Sequence, residues 1–195
     1  GWKSAALATN TLLVYFKNVV QAFETRYKQL GGKVVASETY ATGANNVNAA
    51  VTRLNSAQAD VVVTSTSFGE LPAIVSGLRS LGNETPILSS WAGDGTYWLP
   101  KSPQVTNYYA VTFASAFGDD PSKAVNALAK AVKAGTGGFV TGAAAVDGLV
   151  VAIKRAKGST NGAKLAAQMV KFKKVPTISG LVSFSPQLHS VFGRQ

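Results

Sequence analysis

The stretch ADVVVTSTSFGEL, Ala59 to Leu71, decides the fold. One acid precedes three consecutive valines; the hydroxylated residues Thr64, Ser65, Thr66 and Ser67 follow, and then Phe68. Valine favours extended backbone. An apolar run that does not alternate with polar residues describes a strand covered on both faces, as in the middle of a parallel sheet. Beyond it, Leu71, Ile74, Val75, Leu78 and Leu81 recur at three- and four-residue spacing, which predicts a helix ending at Gly82. The hydroxyls therefore fall at the carboxyl end of a buried strand, where open α/β sheets gather ligands.

Outward from this stretch the same alternation continues. Towards the N-terminus, Lys3–Thr9 reads as a strand and Asn10 or Thr11 as the cap of a helix. Leu12, Phe16, Val19, Phe23, Tyr27 and Leu30 give that helix an apolar stripe, and Gly31–Gly32 stops it. KVVASETY is a second strand, ATGANN a loop, and Val47, Ala50, Val51 and Leu54 mark a second helix. Towards the C-terminus, Pro86–Ser89 and Asn107–Phe113 are the fourth and fifth strands. The expected fold is α/β, an open parallel sheet with helices on both faces.

After Gly118 the pattern changes. Three alanine-rich helical segments are expected, at about 121–134, 139–156 and 160–173, and then a short strand in GLVSFSP. FVTGAAAVDGLVVAIKRA is apolar nearly all round, which predicts burial on more than one side.

Composition narrows the function. The chain has 195 residues, 46% of them apolar, enough for a sizeable core. No apolar run reaches the roughly 18 residues of a membrane span, and GWKSAALATNTLL lacks the charged start, apolar block and cleavage site of a signal peptide. The absence of cysteine excludes disulfides, thiolate metal sites and cysteine nucleophiles. The net charge is +10, and eleven of the 19 basic residues but only three of the 9 acidic ones lie from Phe113 onward. This surplus, around Lys154–Lys157 and Lys171–Lys174, suits a nucleic-acid or membrane-surface patch, or a solvated helix face or a surface for an acidic partner. The second pair is favoured, because no aromatic residues interleave with the lysines as a single-strand binder requires. No nucleic-acid partner is expected.

Catalytic chemistry finds little support. The single histidine, His189, has no carboxylate near it in sequence to orient it. Asp119 and Asp120 are adjacent and would point apart unless a turn joined them. ATNTLL lacks the dinucleotide glycines, and neither a P-loop nor G-x-S-x-G occurs. The chain is not expected to be an enzyme or to carry a cofactor or metal. What remains is a binding site at the carboxyl ends of the strands, with Asn10 and Tyr15 from the first, Ser65, Ser67 and Phe68 from the third, and Ser90, Trp91 and Asp94 from the fourth. Hydroxyls, helix amides and rings together suit a small organic ligand with an anionic end and an apolar body.

The run from GWKSAALATNTLLVYF through GGKVVASETY to ADVVVTS, with the later TGAAAVDGLVVAIKRA and GLVSFSPQLH, resembles the second lobe of type I periplasmic binding proteins. It is most similar to the branched-chain amino-acid receptor family of ABC transporters, across essentially the whole chain. The resemblance implies a hinged two-lobed clamp that closes on a small-molecule ligand and is read by a membrane permease. It implies a ligand-facing role for Tyr15 and places Ser67 and Phe68 on the third-strand loop. Trp91 falls where amino-acid binders carry an acid for the ligand's ammonium group. Tryptophan has no full negative charge, though it can face a cation, and Asp94 or Glu70 could substitute. An aromatic or aliphatic carboxylate therefore competes with an α-amino acid as ligand.

The resemblance further implies a fragment. A first lobe and a signal peptide would precede Gly1, and a final strand would follow Gln195. Residues 1–112 would be the C-terminal lobe, 113–178 helices belonging to the missing first lobe, and 179–195 the return segment. A periplasmic or extracellular, cell-surface location is implied, with weak ligand affinity for the fragment alone. A homodimer through the exposed helices is a further expectation. The rivals are the sensor domain of a receptor or transcription regulator and an enzyme on a flavodoxin-like fold.

Overall fold

Ser4–Asn10 is extended as β1, Lys33–Tyr40 as β2 and Val61–Ser65 as β3. The helices between them are α1, Val14–Gln29, and α2, Val47–Ser56. Helix α3, Leu71–Ser80, leads to β4, Ile87–Ser89, then a 3-10 turn at Trp91–Gly93 and β5, Tyr108–Ala110. The computed structural model describes residues 1–43, 47–67 and 69–189. The chain divides into two compact units, Gly1–Val111 and Thr112–Gln195.

In the first unit the five strands pair in parallel in the order β2-β1-β3-β4-β5. Every residue of β3 is buried, whereas the edge strand β2 alternates between exposed and half-buried positions up to Tyr40. One rule accounts for both patterns: a strand flanked on both sides and covered on both faces needs no polar side, and an edge strand does. One face of the sheet (Ala6, Ala8, Tyr40, Val62, Ile87) packs on Val47, Val51 and Leu54 of α2 and Leu71, Ile74 and Leu78 of α3. The other (Ala5, Leu7, Val61, Val63) packs on Val20, Phe23 and Tyr27 of α1. Fully burying one such leucine or valine contributes about 1.5–3 kcal/mol. The helix stripe expected on α3 holds from Leu71 to Leu78, but Leu81 is 55% exposed, because it lies past the last helical turn.

Two local expectations fail. Neither Asn10 nor Thr11 caps α1; the N-cap is Leu13, which makes no side-chain cap bond. The Asn10 carboxamide oxygen instead accepts from the Leu12 N–H at 2.7 Å, which turns the loop before the helix begins. The fifth strand is also shorter than expected, since after Ala110 the chain leaves the sheet.

Below the carboxyl end of β3 three buried hydroxyls, those of Tyr40, Thr64 and Thr66, lie together without full hydrogen-bond geometry. Burial pushes the Tyr40 phenol up to about 12, against the smaller downward pull of Thr66 and Thr64. A phenol whose pKa is raised in the native state holds its proton more firmly there than when unfolded. Its stability contribution is therefore complete below pH 10.0 and is lost as pH climbs towards 12. Tyr40→Phe is expected to shift stability by less than about 1 kcal/mol at neutral pH and to flatten the alkaline decline. Urea midpoints of both proteins across that window check this, and parallel declines would assign the loss to other groups.

The second unit holds α4, Lys123–Val132, α5, Phe139–Arg155, and α6, Gly162–Met169. An antiparallel hairpin follows, β6, Val175–Thr177, and β7, Gly180–Val182. Ser122 caps α4 and Asn161 caps α6, each accepting a backbone N–H three residues on. The Asp147 carboxylate on α5 accepts the Ile178 N–H at 2.8 Å and so ties the helix to the hairpin. β6 was not expected; its Pro176 argues against a strand, but a two-stranded edge tolerates it. Nor is α5 buried all round, because Val146, Leu149 and Val150 are exposed within this unit. Its small residues let it pack on one side around Val140, Gly148 and Ala152.

Candidate functional site

The order of the sheet fixes where a site can form. The chain leaves β1 for β2 on one side and then crosses to β3 on the other, so the strand order reverses between β1 and β3. In open sheets that switch point opens a crevice beyond the carboxyl ends of the two strands. Asn10 is the last residue of β1 and Ser65 the last of β3. Ser90 and Trp91 directly follow β4.

Two clusters stand at this edge. In the first, the Asn10 amide donates to Thr42 Oγ1 at 3.0 Å, Glu70 Oε2 at 3.2 Å and Ser67 Oγ at 3.5 Å. The Ser67 hydroxyl donates to the same Glu70 oxygen, and the Gly43 N–H donates to Oε1 at 2.9 Å. Asn10 is fully buried and Glu70 is 7% exposed. The carboxylate thus pins the loops after β1, β2 and β3 to one another, with its oxygens already engaged by donors from all three. Ser67 beside Glu70 superficially resembles a nucleophile and its base, but the oxygen that would take the proton is also held by Asn10.

The second cluster is aromatic. The rings of Tyr15, in the first turn of α1, and Trp91 lie 5.9 Å apart at 58°. Tyr15 also meets the buried Phe16 edge-on at 5.6 Å. Burial raises the Tyr15 phenol above its ordinary pKa, while the Ser90 hydroxyl and the backbone and indole N–H of Trp91 pull it down. Ser65 Oγ donates to Ser90 Oγ at 3.0 Å, and the Ser90 N–H donates to the Thr64 carbonyl at 3.1 Å. A polar thread therefore runs from the half-buried phenol through Ser90 to the carboxyl end of β3. Tyr15 and Trp91 remain partly accessible, and Leu12, Leu13 and Val14 beside them are exposed.

The sequence-derived residues thus sort into three groups. Asn10 and Ser67 share the Glu70 network, and Tyr15, Ser65 and Trp91 share the ring cluster. Asp94 closes the 3-10 turn, is 7% exposed, and raises the pKa of the Tyr97 and Tyr108 phenols after burial has done so. Phe68 lies outside the described residues. Ser90, expected at the fourth strand end, links the rings to β3; Thr42 and Gly43, which complete the Glu70 cage, are additions from the structure. Thr42 and Gly43 carry no sequence signal comparable to Ser90's place after a strand. Among the described residues no cluster of acidic, histidine or cysteine side chains could hold a metal ion, and no helix is long and apolar enough to cross a membrane. The Asp119–Asp120 pair organises its own loop: Asp119 accepts from the Ser115 hydroxyl, and Asp120 from the N–H groups of Ser115 and Ser122.

Comparison with known proteins fits this geometry. A leucine-binding protein, LivK, from Thermotoga maritima superimposes with a TM-score of 0.78 at 21% identity, over 95% of this chain and 54% of its own. The branched-chain amino-acid transporter substrate-binding protein LivJ from Streptococcus pneumoniae, solved with isoleucine, gives 0.77 at 24%, over 95% and 53%. A solute-binding protein of an ABC transporter from Rhodopseudomonas palustris, solved with 3,4-dihydroxybenzoic acid, gives 0.73 at 17%, over 96% and 53%. At these identities the likeness establishes the fold, and the chain spans about half the length of the structures it matches. No curated protein sequence matches it significantly. The profile described as periplasmic binding protein matches residues 1–193, a family of ligand binders rather than enzymes. A doubly covered parallel sheet, a switch point edged by rings and hydroxyls, and a family match over nearly every residue agree: the chain belongs to the periplasmic binding protein family.

Proposed function

We propose that this chain is the solute-binding part of an ABC transporter receptor, and that residues 1–112 form one jaw of a clamp for a small organic carboxylate. Residues 113–178 would pack on the opposite jaw through Val146, Leu149 and Val150, the exposed apolar residues of α5, and 179–195 return the chain. The observation that carries this reading is the Tyr15–Trp91 ring pair at the switch point, wired through Ser90 to the end of β3. The ligand's body lies on the rings and its polar end is met by hydroxyls and backbone amides, largely from the opposite jaw. Closure is favoured because the ligand touches both jaws. A membrane permease reads the closed state, which places the protein at the cell surface, periplasmic or extracellular.

The ligand class follows from where the acids lie. Glu70 is enclosed by three donors, and Asp94 is buried beside two tyrosines. With Trp91 at the position that faces the ligand, this edge favours an aromatic or aliphatic carboxylate over an α-amino acid. One related structure holds isoleucine, and two from Rhodopseudomonas palustris hold 3,4-dihydroxybenzoic acid and 4-hydroxybenzoate. Thermal shift of the two-lobed receptor with 4-hydroxybenzoate, 3-phenylpropionate, isoleucine and leucine tests the reading. The acids are expected to raise the melting temperature and to be recovered unchanged, and Trp91→Ala is expected to weaken their binding by about tenfold or more. Stabilisation by the amino acids alone would return the site to amino-acid transport. Chemical conversion of a ligand would replace a binder with an enzyme.

A further inference from the structure

The basic surplus of the sequence collects in the second unit around the end of α5 and the segment that leads into β6. Lys154 and Arg155 end α5, Lys157 follows in the turn, Lys164 lies on α6, and Lys171, Lys173 and Lys174 lead into β6. All seven are exposed. They surround one small core built from Ala152, Leu165, Phe172 and Val175. The Arg155 guanidinium stands 5.1 Å from the centre of the Phe172 ring, which brings the end of α5 against the 171–174 segment. No aspartate or glutamate occurs after Asp147. Among the described residues, every salt bridge lies in the first unit. Positive charge here is thus concentrated and uncompensated.

We infer that this surface docks on anionic phospholipid headgroups of a bilayer. Two features favour a lipid surface over an acidic protein. Six of the seven residues are lysines, compact charges that are attracted diffusely, whereas the one arginine already lies on Phe172. Protein interfaces centre on buried aromatic or aliphatic anchors and are depleted in lysine. No large apolar side chain between Lys154 and Lys174 is exposed to serve as such an anchor. A plane of negative headgroups needs neither anchor nor directional pairing, and each lysine within a Debye length of about 8 Å adds to the attraction. With no exposed apolar side chain between Lys154 and Lys174 to insert, the contact is peripheral, reversible and sensitive to salt. Its effect would be to hold a solute receptor close to the plane of its transporter.

The test is co-sedimentation of the full chain with vesicles of phosphatidylcholine containing about 30% phosphatidylglycerol, beside pure phosphatidylcholine. The protein is expected to pellet with the anionic vesicles only and to be released at about 0.5 M salt. Lys171→Glu/Lys173→Glu/Lys174→Glu is expected to weaken binding by about tenfold or more, whereas Lys3→Glu/Lys17→Glu/Lys33→Glu, an equal change of net charge on the first unit, leaves most of it. Circular dichroism checks folding, and the corresponding Lys→Gln triple replaces the Glu triple should that misfold. Equal pelleting with neutral vesicles, no pelleting, or equal loss from both triples overturns the proposal. So does polyglutamate binding at least as tightly as the vesicles, which would make an acidic protein the partner.

Discussion

Gly93→Ala is expected to destabilise the protein by about 3 kcal/mol, combining overpacking with the loss of buried hydrogen bonds. Gly93 lies in the 3-10 turn that carries Trp91. A β-carbon there would fall inside contact distance of the Tyr108 phenol oxygen and the Ser89 hydroxyl, and 3.0 Å from Leu71 Cδ2. The phenol oxygen is not a loose end. The Tyr108 phenol donates to the Gly93 carbonyl at 2.8 Å, and the Trp98 indole N–H donates to the same oxygen at 3.1 Å. Burial drives the Tyr108 pKa upward, so the phenol stays a donor. A methyl group must therefore displace either the turn or the tyrosine. Adding Tyr108→Phe removes the colliding oxygen and is expected to recover part of the loss, leaving the double variant more stable than the two single losses added together. Chemical denaturation of the four proteins measures this; strict additivity would show that the turn yields without touching Tyr108.

Arg79→Ala is expected to cost about 3–4 kcal/mol. The Arg79 side chain is 1% exposed, at the end of α3. Its guanidinium donates to the carbonyls of Asn83 at 2.6 Å, Thr85 at 3.1 Å and Thr106 at 2.7 Å. Burial lowers its pKa, opposed by Glu84, whose carboxylate stands 3.7 Å from Nε and is 59% exposed. One planar group thus closes the loops that precede β4, which leads into the Trp91 turn, and β5, which carries Tyr108. Lysine is a single point charge and cannot reach three carbonyls in one plane, so Arg79→Lys is expected to restore less than half of the loss. Denaturant midpoints check both variants. An alanine variant within about 1 kcal/mol of the parent would mean that water replaces the guanidinium at all three carbonyls.

These two residues also mark the limit of what the sequence discloses. The valines of β3 are legible because burial on both faces leaves a composition no other position permits. The α2 stripe of Val47, Ala50, Val51 and Leu54 is legible because helical periodicity is local; all four are buried. Arg79 resembles any helix-end arginine, because its three acceptors are backbone carbonyls and carry no side-chain signature. Gly93 resembles a loop glycine, since its φ is unremarkable and only the approach of Tyr108, fifteen residues on, demands it. Asn10 shows the opposite case. Its identity suggests a cap, and tertiary contacts with Glu70 and Thr42 give it another task. Likewise the alanines of α5 conceal which side is covered: small residues permit close packing without declaring a face, so Val146, Leu149 and Val150 stay exposed in their unit where burial was expected.

At the site, the sheet edge was legible and the wiring was not. Strand ends can be located from composition, and with them the neighbourhood of Tyr15, Ser65 and Trp91. That Ser90 joins the rings to β3, and that Glu70 faces inward, depends on side-chain directions that only the folded chain fixes.

The central claim is that the carboxyl edge of the sheet, at Tyr15 and Trp91, receives a small carboxylate. Indole N–H resonances of the three tryptophans test it most directly, in the two-lobed receptor titrated with whichever acid stabilises it. Trp2 precedes β1 at the opposite end of the sheet and is 46% exposed, and Trp98 is 6% exposed beneath the Gly93 turn. The account predicts a saturable shift of the Trp91 signal that Tyr15→Ala weakens, with Trp2 unmoved. Saturable binding that shifts Trp2 and leaves Trp91 in place would contradict it.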